Sequence, residues 1–232
     1  MPRATHTSAR PLVVELVGPA AVGKSAVARV LGAREPRIAA GQGLWHLPRS
    51  LLLMGGLRAL PSLAVLTRGA RALLWEEAKQ IVRLGALNAL LLRQQRQQLR
   101  AIVLDEGPVF GLSWLRAFGH GAVHNGGPGG WWERTVARYA NVIDLVVLLD
   151  APDPVLAHRM RSRTKPHGWK HKSVREIAEF GARFRQAFSD VLAALTAANS
   201  GLAIVTLETE GRSAYEIADR LVHLLEERED GP

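Results

Sequence analysis

The segment Gly18–Ser25 (GPAAVGKS) is the most specific motif in this sequence. It matches the pattern G-x-x-x-x-G-K-[ST] at every fixed position. An apolar segment, Leu12–Val17, ends directly before it, and a helical pattern over Ser25–Leu31 begins at its last residue. In a strand–loop–helix unit, backbone N–H groups of the loop and the N terminus of the helix surround a phosphate group. The segment therefore predicts a parallel α/β fold with a phosphate site at its first loop.

The same motif assigns chemistry to two side chains. The ammonium group of Lys24 can reach the β- and γ-phosphates of a nucleoside triphosphate, and the hydroxyl group of Ser25 can ligate magnesium. We therefore expect ATP and Mg²⁺ as cofactors. The residues expected to hold the nucleotide are Gly18, Pro19, Ala20, Ala21, Val22, Gly23, Lys24, Ser25 and Ala26.

Further apolar segments predict the rest of the sheet. Short runs of Val, Ile and Leu are typical of parallel strands whose two faces are both covered by helices. Helical patterns separate these runs, which indicates a three-layer α/β/α fold with a parallel sheet. A chain of 232 residues supports one such core, so 1–232 is expected to be a single domain with a flexible N terminus at 1–10. The predicted strands are Leu12–Val17, Ala101–Leu104, Leu145–Leu149 and Ala203–Leu207, and the main helices are Arg71–Leu99, Arg175–Ala198 and Ser213–Glu227.

Two carboxylates, Asp105 and Glu106, end the run AIVLDE. A carboxylate at the carboxyl end of a strand beside the phosphate loop lies at the crevice where open α/β sheets bind ligands. It can organise magnesium, or it can accept the proton of an acceptor hydroxyl during phosphoryl transfer. Because Asp105 directly follows the apolar strand, it is the favoured base and a candidate magnesium ligand, with Glu106 as a second catalytic candidate.

A basic segment over residues 158–172 (HRMRSRTKPHGWKHK) follows the run LVVLLD. A segment rich in guanidinium groups can close over a nucleotide and neutralise charge on the transferring phosphoryl group. Arg159 and Arg163 are four residues apart and share a helical face, so they are the expected catalytic pair. A solvated cationic surface is the alternative interpretation of the same residues.

Composition and charge limit the remaining possibilities. The absence of cysteine excludes disulfides and thiolate metal sites. The formal net charge of +9 suits anionic partners, but no nucleic-acid-binding motif accompanies it, so no specific nucleic-acid binding is expected. Residues 1–10 lack the apolar stretch of a signal peptide. The interrupted run Leu51–Leu66, sixteen residues long, is shorter than the roughly 20 that span a bilayer. A cytoplasmic protein without a membrane span is expected, with peripheral membrane contact and a homodimer both left open.

The order of these parts resembles that of the nucleoside and nucleoside-monophosphate kinases, above all the thymidylate kinase-like branch. A phosphate loop, a helical acceptor region at 41–98, a strand ending in an acidic residue, a strand reading LLD-x-P and a basic lid follow one another. The resemblance implies that Asp105 is the base that this family carries in an Asp-Arg pair. Glu106 stands where the arginine of that pair is found, and Ala21 replaces a glycine that is frequent inside the loop.

These observations favour an ATP-dependent phosphotransferase acting on a nucleoside, nucleotide or other small hydroxyl or phosphate acceptor. The alternative is a hydrolytic P-loop NTPase in which Asp105 binds magnesium and Glu106 activates water. Aromatic and arginine side chains between the phosphate loop and the second predicted strand, or beside the glycine-rich stretch 120–130, are candidates for acceptor binding. They are Trp45, His46, Arg49, Arg68, Arg71, Trp75, Trp114, Trp131 and Trp132.

Overall fold

A five-stranded parallel sheet forms the centre of the computed structural model, which describes residues 10–69, 75–119, 123, 130–162 and 171–229. The strands lie in the order β2-β3-β1-β4-β5, and every neighbouring pair is parallel. Their bounds are β1 Leu12–Val17, β2 Ile38–Gln42, β3 Ala101–Asp105, β4 Leu145–Asp150 and β5 Ala203–Glu208.

Eight helices within the described ranges cover the sheet. They are α1 Lys24–Arg34, α2 Arg49–Gly69, α3 Trp75–Gln94, α4 Pro108–Phe118, α5 Trp131–Ala140, α6 Asp153–Arg161, α7 Val174–Ala198 and α8 Ala214–Glu229. Strands and helices alternate after β1, and parallel strands require such crossover connections. The predicted three-layer α/β fold is confirmed.

The central strands contribute to two hydrophobic clusters, one on either face of the sheet. Val13 and Val17 of β1 belong to the cluster that packs against α3, α4, α5 and α7. Val14 and Leu16 belong to the cluster that packs against α1 and α8. Side chains of a strand alternate between its two faces, so a strand covered on both sides is apolar at nearly every position. This is why the central strands are recognisable in the sequence as apolar runs.

The edge strand β2 (IAAGQ) is absent from the predicted set. It contains one β-branched residue and ends in Gly41 and Gln42, which the sequence assigns to the start of the helical region. Gly41 has a φ of +77°, and the pairing of β2 with β3 is irregular between Ala40 and Gln42. A short edge strand with small residues has little apolar pattern, because pairing with β3 rather than side-chain burial defines it.

The apolar run Leu51–Leu66 also differs from its prediction. It lies within one continuous helix, α2, which includes Pro61. The stretch Arg49–Thr67 is long and apolar enough to cross a membrane by length and composition, with 22% of its most apolar window buried in the fold. The length of the apolar run therefore does not by itself decide whether this helix crosses a membrane. The helix packs closely on α3, since a Cβ atom on Gly55 would lie 2.8 Å from the Val82 carbonyl oxygen.

Candidate active site

The phosphate loop leaves β1 through a position that only glycine can occupy. Gly18 has a φ of +148°, and a Cβ atom there would lie 2.1 Å from the carbonyl oxygen of Leu149 in β4. The loop ends at Gly23, whose φ of +109° directs the chain into α1. Lys24 is buried, and its Nζ donates hydrogen bonds to the carbonyl oxygens of Gly18 at 2.8 Å and Pro19 at 3.2 Å. The predicted phosphate-binding residues thus form one closed turn around the lysine ammonium group.

Ala21 is the point of strain in this loop. Its φ is +69°, in the left-handed region that costs an L-residue with a Cβ atom roughly 1–2 kcal/mol. The side chain is nevertheless buried and packs against Ala157, Met160 and Ile177. Alanine in place of glycine at position 21 therefore has two opposing effects on stability. The backbone conformation is unfavourable, and the apolar packing of the side chain offsets it.

Two positions near the loop fit a magnesium ion. Ser25 is solvent-exposed at the start of α1. At the end of β3, Oδ1 of Asp105 is buried with no hydrogen-bond partner among the described residues. An orphaned carboxylate oxygen of this kind is completed by water or an ion. Within the described ranges, no group of three or more His, Asp or Glu side chains could hold a metal by itself.

The two adjacent carboxylates occupy different surroundings. Asp105 is the last residue of β3, whereas Glu106 leaves the strand with a φ of +62° and lines a cavity together with Lys24. Trp45 lines the same cavity as Glu106. Burial raises the pKa of Glu106, and the charge of Lys24 opposes that rise. A non-glycine residue in this conformation is often held there by function.

The loop after β2 is fixed directly on this turn. A Cβ atom on Gly43 would lie 1.9 Å from the Asp105 carbonyl oxygen, so the two backbones touch there. The Leu44 N–H donates to the Glu106 carbonyl oxygen at 3.0 Å. These contacts bring Trp45 beside Glu106, and the Arg83 guanidinium stacks 4.0 Å above the centre of the indole ring.

A cavity of about 510 Å³ opens above the phosphate loop and is mostly aromatic. Phe110 and Phe184 stack with ring centres 5.7 Å apart, and Phe180 meets Phe184 edge-on at 5.0 Å. Among the described residues that line it, only Lys24 and Glu106 are charged. The lining residues are Gly18, Pro19, Ala20, Lys24, Trp45, Glu106, Phe110, Trp114, Phe118, Phe180 and Phe184.

Helix α4 supplies three of these aromatic side chains, and a buried carboxylate holds its N terminus. Glu15, in the middle of β1, accepts hydrogen bonds from the backbone N–H groups of Val109 at 2.8 Å and Phe110 at 2.9 Å. Gly107 provides no side-chain cap for this helix, so Glu15 takes that role from another element. Burial raises the pKa of Glu15 to about 8, although the amide hydrogen bonds lower it. The only sequence signal for this role is a single charge inside an apolar strand.

Arg159 lies on the other side of the phosphate loop from the aromatic cavity. Its guanidinium donates to the Thr209 hydroxyl at 2.9 Å and to the Thr209 carbonyl oxygen at 2.7 Å. Together with Val22, Arg212 and Ile217, it lines a smaller cavity of about 170 Å³ between α1 and the loop after β5. Arg163, the other half of the expected catalytic pair, lies outside the described residues, as do 164–170 of the basic lid.

The remaining candidates are distributed over several surfaces. Trp45 and Trp114 line the aromatic cavity, as their positions in the sequence suggest. Arg49 and Trp75 are exposed on α2 and α3, outside the cavity lining, and Trp131 lines a groove between α2, α3 and α5. His46 is exposed and Trp132 packs against the core, while the side chains of Arg68 and Arg71 are outside the described part of the chain.

One ion-pair network near the site contains Asp150, the acidic residue of the LLD-x-P segment, together with residues that the sequence does not single out. Arg185 of α7 pairs with Asp150 at 2.9 Å and with Asp153 at 2.8 Å. This network joins the C-terminal end of β4 to the helix that carries Phe180 and Phe184. No motif connects the three charged residues, because the fold alone brings α7 to the end of β4.

Comparison with known proteins supports the fold. No protein-family model matches the sequence, and no curated protein matches it. Among solved structures, thymidylate kinase from Candida albicans is similar with a TM-score of 0.55 at 16% identity, over 96% of this chain and 94% of that one. Deoxyadenosine kinase from M. mycoides is similar with a TM-score of 0.54 at 11% identity, over 93% and 100% of the two chains.

A third similar structure is the tunicamycin resistance protein of Deinococcus radiodurans. Its TM-score is 0.52 at 15% identity, over 93% of this chain and 96% of that one. Sequence identities this low show the fold and leave the substrate open. The chain thus has the fold of the P-loop nucleoside and nucleoside-monophosphate kinases, the thymidylate kinase-like fold among them.

Proposed function

We propose that this protein transfers the γ-phosphoryl group of MgATP to a hydroxyl group of a small, largely apolar or aromatic acceptor. The observation that supports this most is the aromatic cavity, which meets the phosphate loop at Lys24 and Glu106. Ligand sites combine an apolar lining with a few converging polar groups, and this cavity has that composition.

The charges around the cavity favour an uncharged acceptor. An acceptor that already carries a phosphate group needs a cation to offset it, and arginine is well suited to that task. None of the described cavity-lining residues is an arginine, and Lys24 is committed to the phosphate loop. Arg83 stacks on Trp45 and does not itself line the cavity. We therefore favour an alcohol or an unphosphorylated nucleoside over a nucleoside monophosphate.

The geometry suggests a division of roles between the carboxylates that differs from the prediction. Glu106 lines the cavity, so we propose that it accepts the proton of the acceptor hydroxyl as that oxygen attacks the γ-phosphorus. The bond from the γ-phosphorus to the bridging oxygen breaks, and ADP leaves. Lys24 offsets negative charge on the phosphates. Asp105, with its orphaned oxygen, and Ser25 would hold the magnesium ion, which when bound neutralises the phosphate oxygens.

We propose that Arg159 acts on the nucleotide rather than on the transferring group. Its guanidinium is fixed by Thr209 beside the cavity of about 170 Å³ that flanks the phosphate loop. A planar guanidinium in that place can stack on the purine ring of ATP. The cavity between α1 and the loop after β5 is thus the proposed site of the nucleotide base.

The test measures ADP release by the full chain with MgATP, alone and with unphosphorylated nucleosides, nucleoside monophosphates, sugars and aromatic or polyprenol-like alcohols. Release that depends on an uncharged acceptor, together with mass spectrometry of the phosphorylated product, would support the proposal. The hydrolytic alternative shares the roles of Asp105 and Glu106, so only acceptor dependence separates the two. Equal ADP release with and without every acceptor would favour the hydrolase and overturn the kinase.

A further inference from the structure

The outward face of α2 is apolar and has no partner within the described part of the chain. Leu53, Leu57 and Leu60 are 73%, 70% and 56% exposed. The opposite face of the helix packs into the core through Leu51 and Leu66. Exposed leucines at spacings of three and four residues form one stripe along a helix, and contiguous apolar stripes mark interaction sites. This face, called the stripe Leu53–Leu60, lies outside the proposed active site.

Basic side chains border the stripe, and α2 contains no acidic residue. A groove of about 320 Å³ between α2, α3 and α5 is lined by Arg58, Arg134 and Arg138, with no acidic residue in its lining. Among the described residues, none of these three arginines forms an ion pair. At the N-terminal end, Arg49 lines the shallow apolar depression that includes Leu53 and Leu57. The stripe therefore has cations along one long edge and at its N-terminal end.

We propose that α2 docks this protein onto the surface of a membrane containing anionic phospholipids. The leucines of the stripe would enter the boundary between headgroups and acyl chains, and the arginines would contact lipid phosphates. An interfacial helix has this design, with an apolar face flanked by cations. Juxtamembrane arginines add attraction to anionic lipids. This inference does not depend on the proposed kinase activity.

The packing of α2 favours a helix in the plane of the membrane over a helix that spans it. Gly55 contacts the backbone of α3 at Val82, and Leu51 and Leu66 belong to the hydrophobic core. Spanning would require these contacts to separate, and it would place Arg58 near the centre of the bilayer, where a charge is costly.

The charges around the stripe also argue against a second copy of this chain as the partner that binds there. A two-fold contact places the same patch of both copies face to face. The arginines beside the stripe would then face the α2 helix of the other copy, which offers no carboxylate to offset them. An anionic lipid surface supplies the missing negative charge.

The experiment is flotation of the full chain with vesicles of phosphatidylcholine alone or of phosphatidylcholine with phosphatidylglycerol. We expect co-flotation only with the anionic vesicles, and weaker binding at high salt because the attraction is screened. Replacing Leu53, Leu57 and Leu60 with Gln should abolish it. Replacing Arg58, Arg134 and Arg138 with Ala should weaken partitioning by on the order of 100-fold, at roughly fivefold for each arginine.

The matched control is Ile204→Thr, which changes a 40% exposed apolar residue on the edge strand β5, away from the stripe. It should float like the wild type, and circular dichroism should show that all variants remain folded. No flotation of the wild type would overturn the proposal. So would a stable dimer in light scattering that the Leu→Gln variant dissociates, or resistance of the bound protein to alkaline carbonate, which indicates a spanning helix.

Discussion

The buried carboxylate of Glu15 makes the stability of this protein depend on pH in a direction that one substitution can test. The pKa of Glu15 is raised to about 8 in the folded state, while an unfolded chain releases the proton near the ordinary value of 4.5. Between these two values the folded state holds one more proton than the unfolded state. The free energy of unfolding therefore falls as pH rises, by roughly 1.4 kcal/mol per pH unit from this group alone.

Glu15→Gln removes this dependence while keeping one oxygen to accept the Val109 or Phe110 N–H group. Near pH 5.5 we expect the variant to be less stable by about 1–3 kcal/mol, because one amide at the start of α4 loses its acceptor. Between pH 5.5 and 7.5 the difference from the wild type should shift in favour of the variant by about 3 kcal/mol.

Urea unfolding followed by circular dichroism at pH 5.5, 6.5 and 7.5 measures both quantities. Glu227→Gln, a change of the same chemistry on the exposed end of α8, is the control and should leave the pH dependence unaltered. If the curves of Glu15→Gln and wild type stay parallel from pH 5.5 to 7.5, the reasoning that burial governs this carboxylate is wrong.

The remaining predictions concern the phosphate loop and its neighbours. Glu106→Gln should lower the rate of acceptor phosphorylation by roughly 10²–10⁴ and leave nucleotide affinity unchanged, which product assays and stopped-flow binding can check. Asp105→Asn should mainly raise the magnesium concentration needed for turnover. Glu106→Gly should raise the thermal midpoint while abolishing turnover, since glycine relieves the positive φ. Ala21→Gly should change the unfolding free energy by less than about 1 kcal/mol, because relief of strain and loss of packing oppose each other. Arg159→Ala should raise KM for ATP more than it lowers kcat. An equal fall in kcat and kcat/KM would show that Arg159 acts on the transferring phosphoryl group and not on the nucleotide base.

Local features of this chain can be predicted from sequence, whereas features assembled across elements cannot. The phosphate loop depends on eight consecutive residues, so the motif alone assigns Lys24 and Ser25. The separation of Asp105 from Glu106 depends on a backbone dihedral angle, the φ of +62° at Glu106, which residue types do not determine. The sequence therefore identifies this pair of carboxylates as candidates, but it does not show which of the two is the base and which is the magnesium ligand.

The aromatic cavity illustrates the same limit. Phe110 and Phe118 lie on α4, and Phe180 and Phe184 lie on α7, more than sixty residues away in sequence. In each helix the spacing of these residues is that of an ordinary buried face. The pattern therefore does not distinguish residues that line a cavity from residues that pack in the hydrophobic core. Only the packing of α4 against α7 over the phosphate loop leaves a space between them.

That cavity and the phosphate loop also differ in what they are made of, and the difference bears on how substrate preference can change. In the proposed function, phosphate would be held largely by backbone N–H groups of the loop, which survive most substitutions, whereas the cavity wall consists almost entirely of side chains. Exchanging Phe180 or Phe184 for smaller residues alters the volume of the aromatic cavity and leaves the loop as it is. Such variants, screened for new acceptors beside a direct measurement of ATP affinity, should exchange one acceptor for another at nearly constant nucleotide binding. If the proposed function holds, nucleotide binding and acceptor choice can therefore diverge separately on this scaffold.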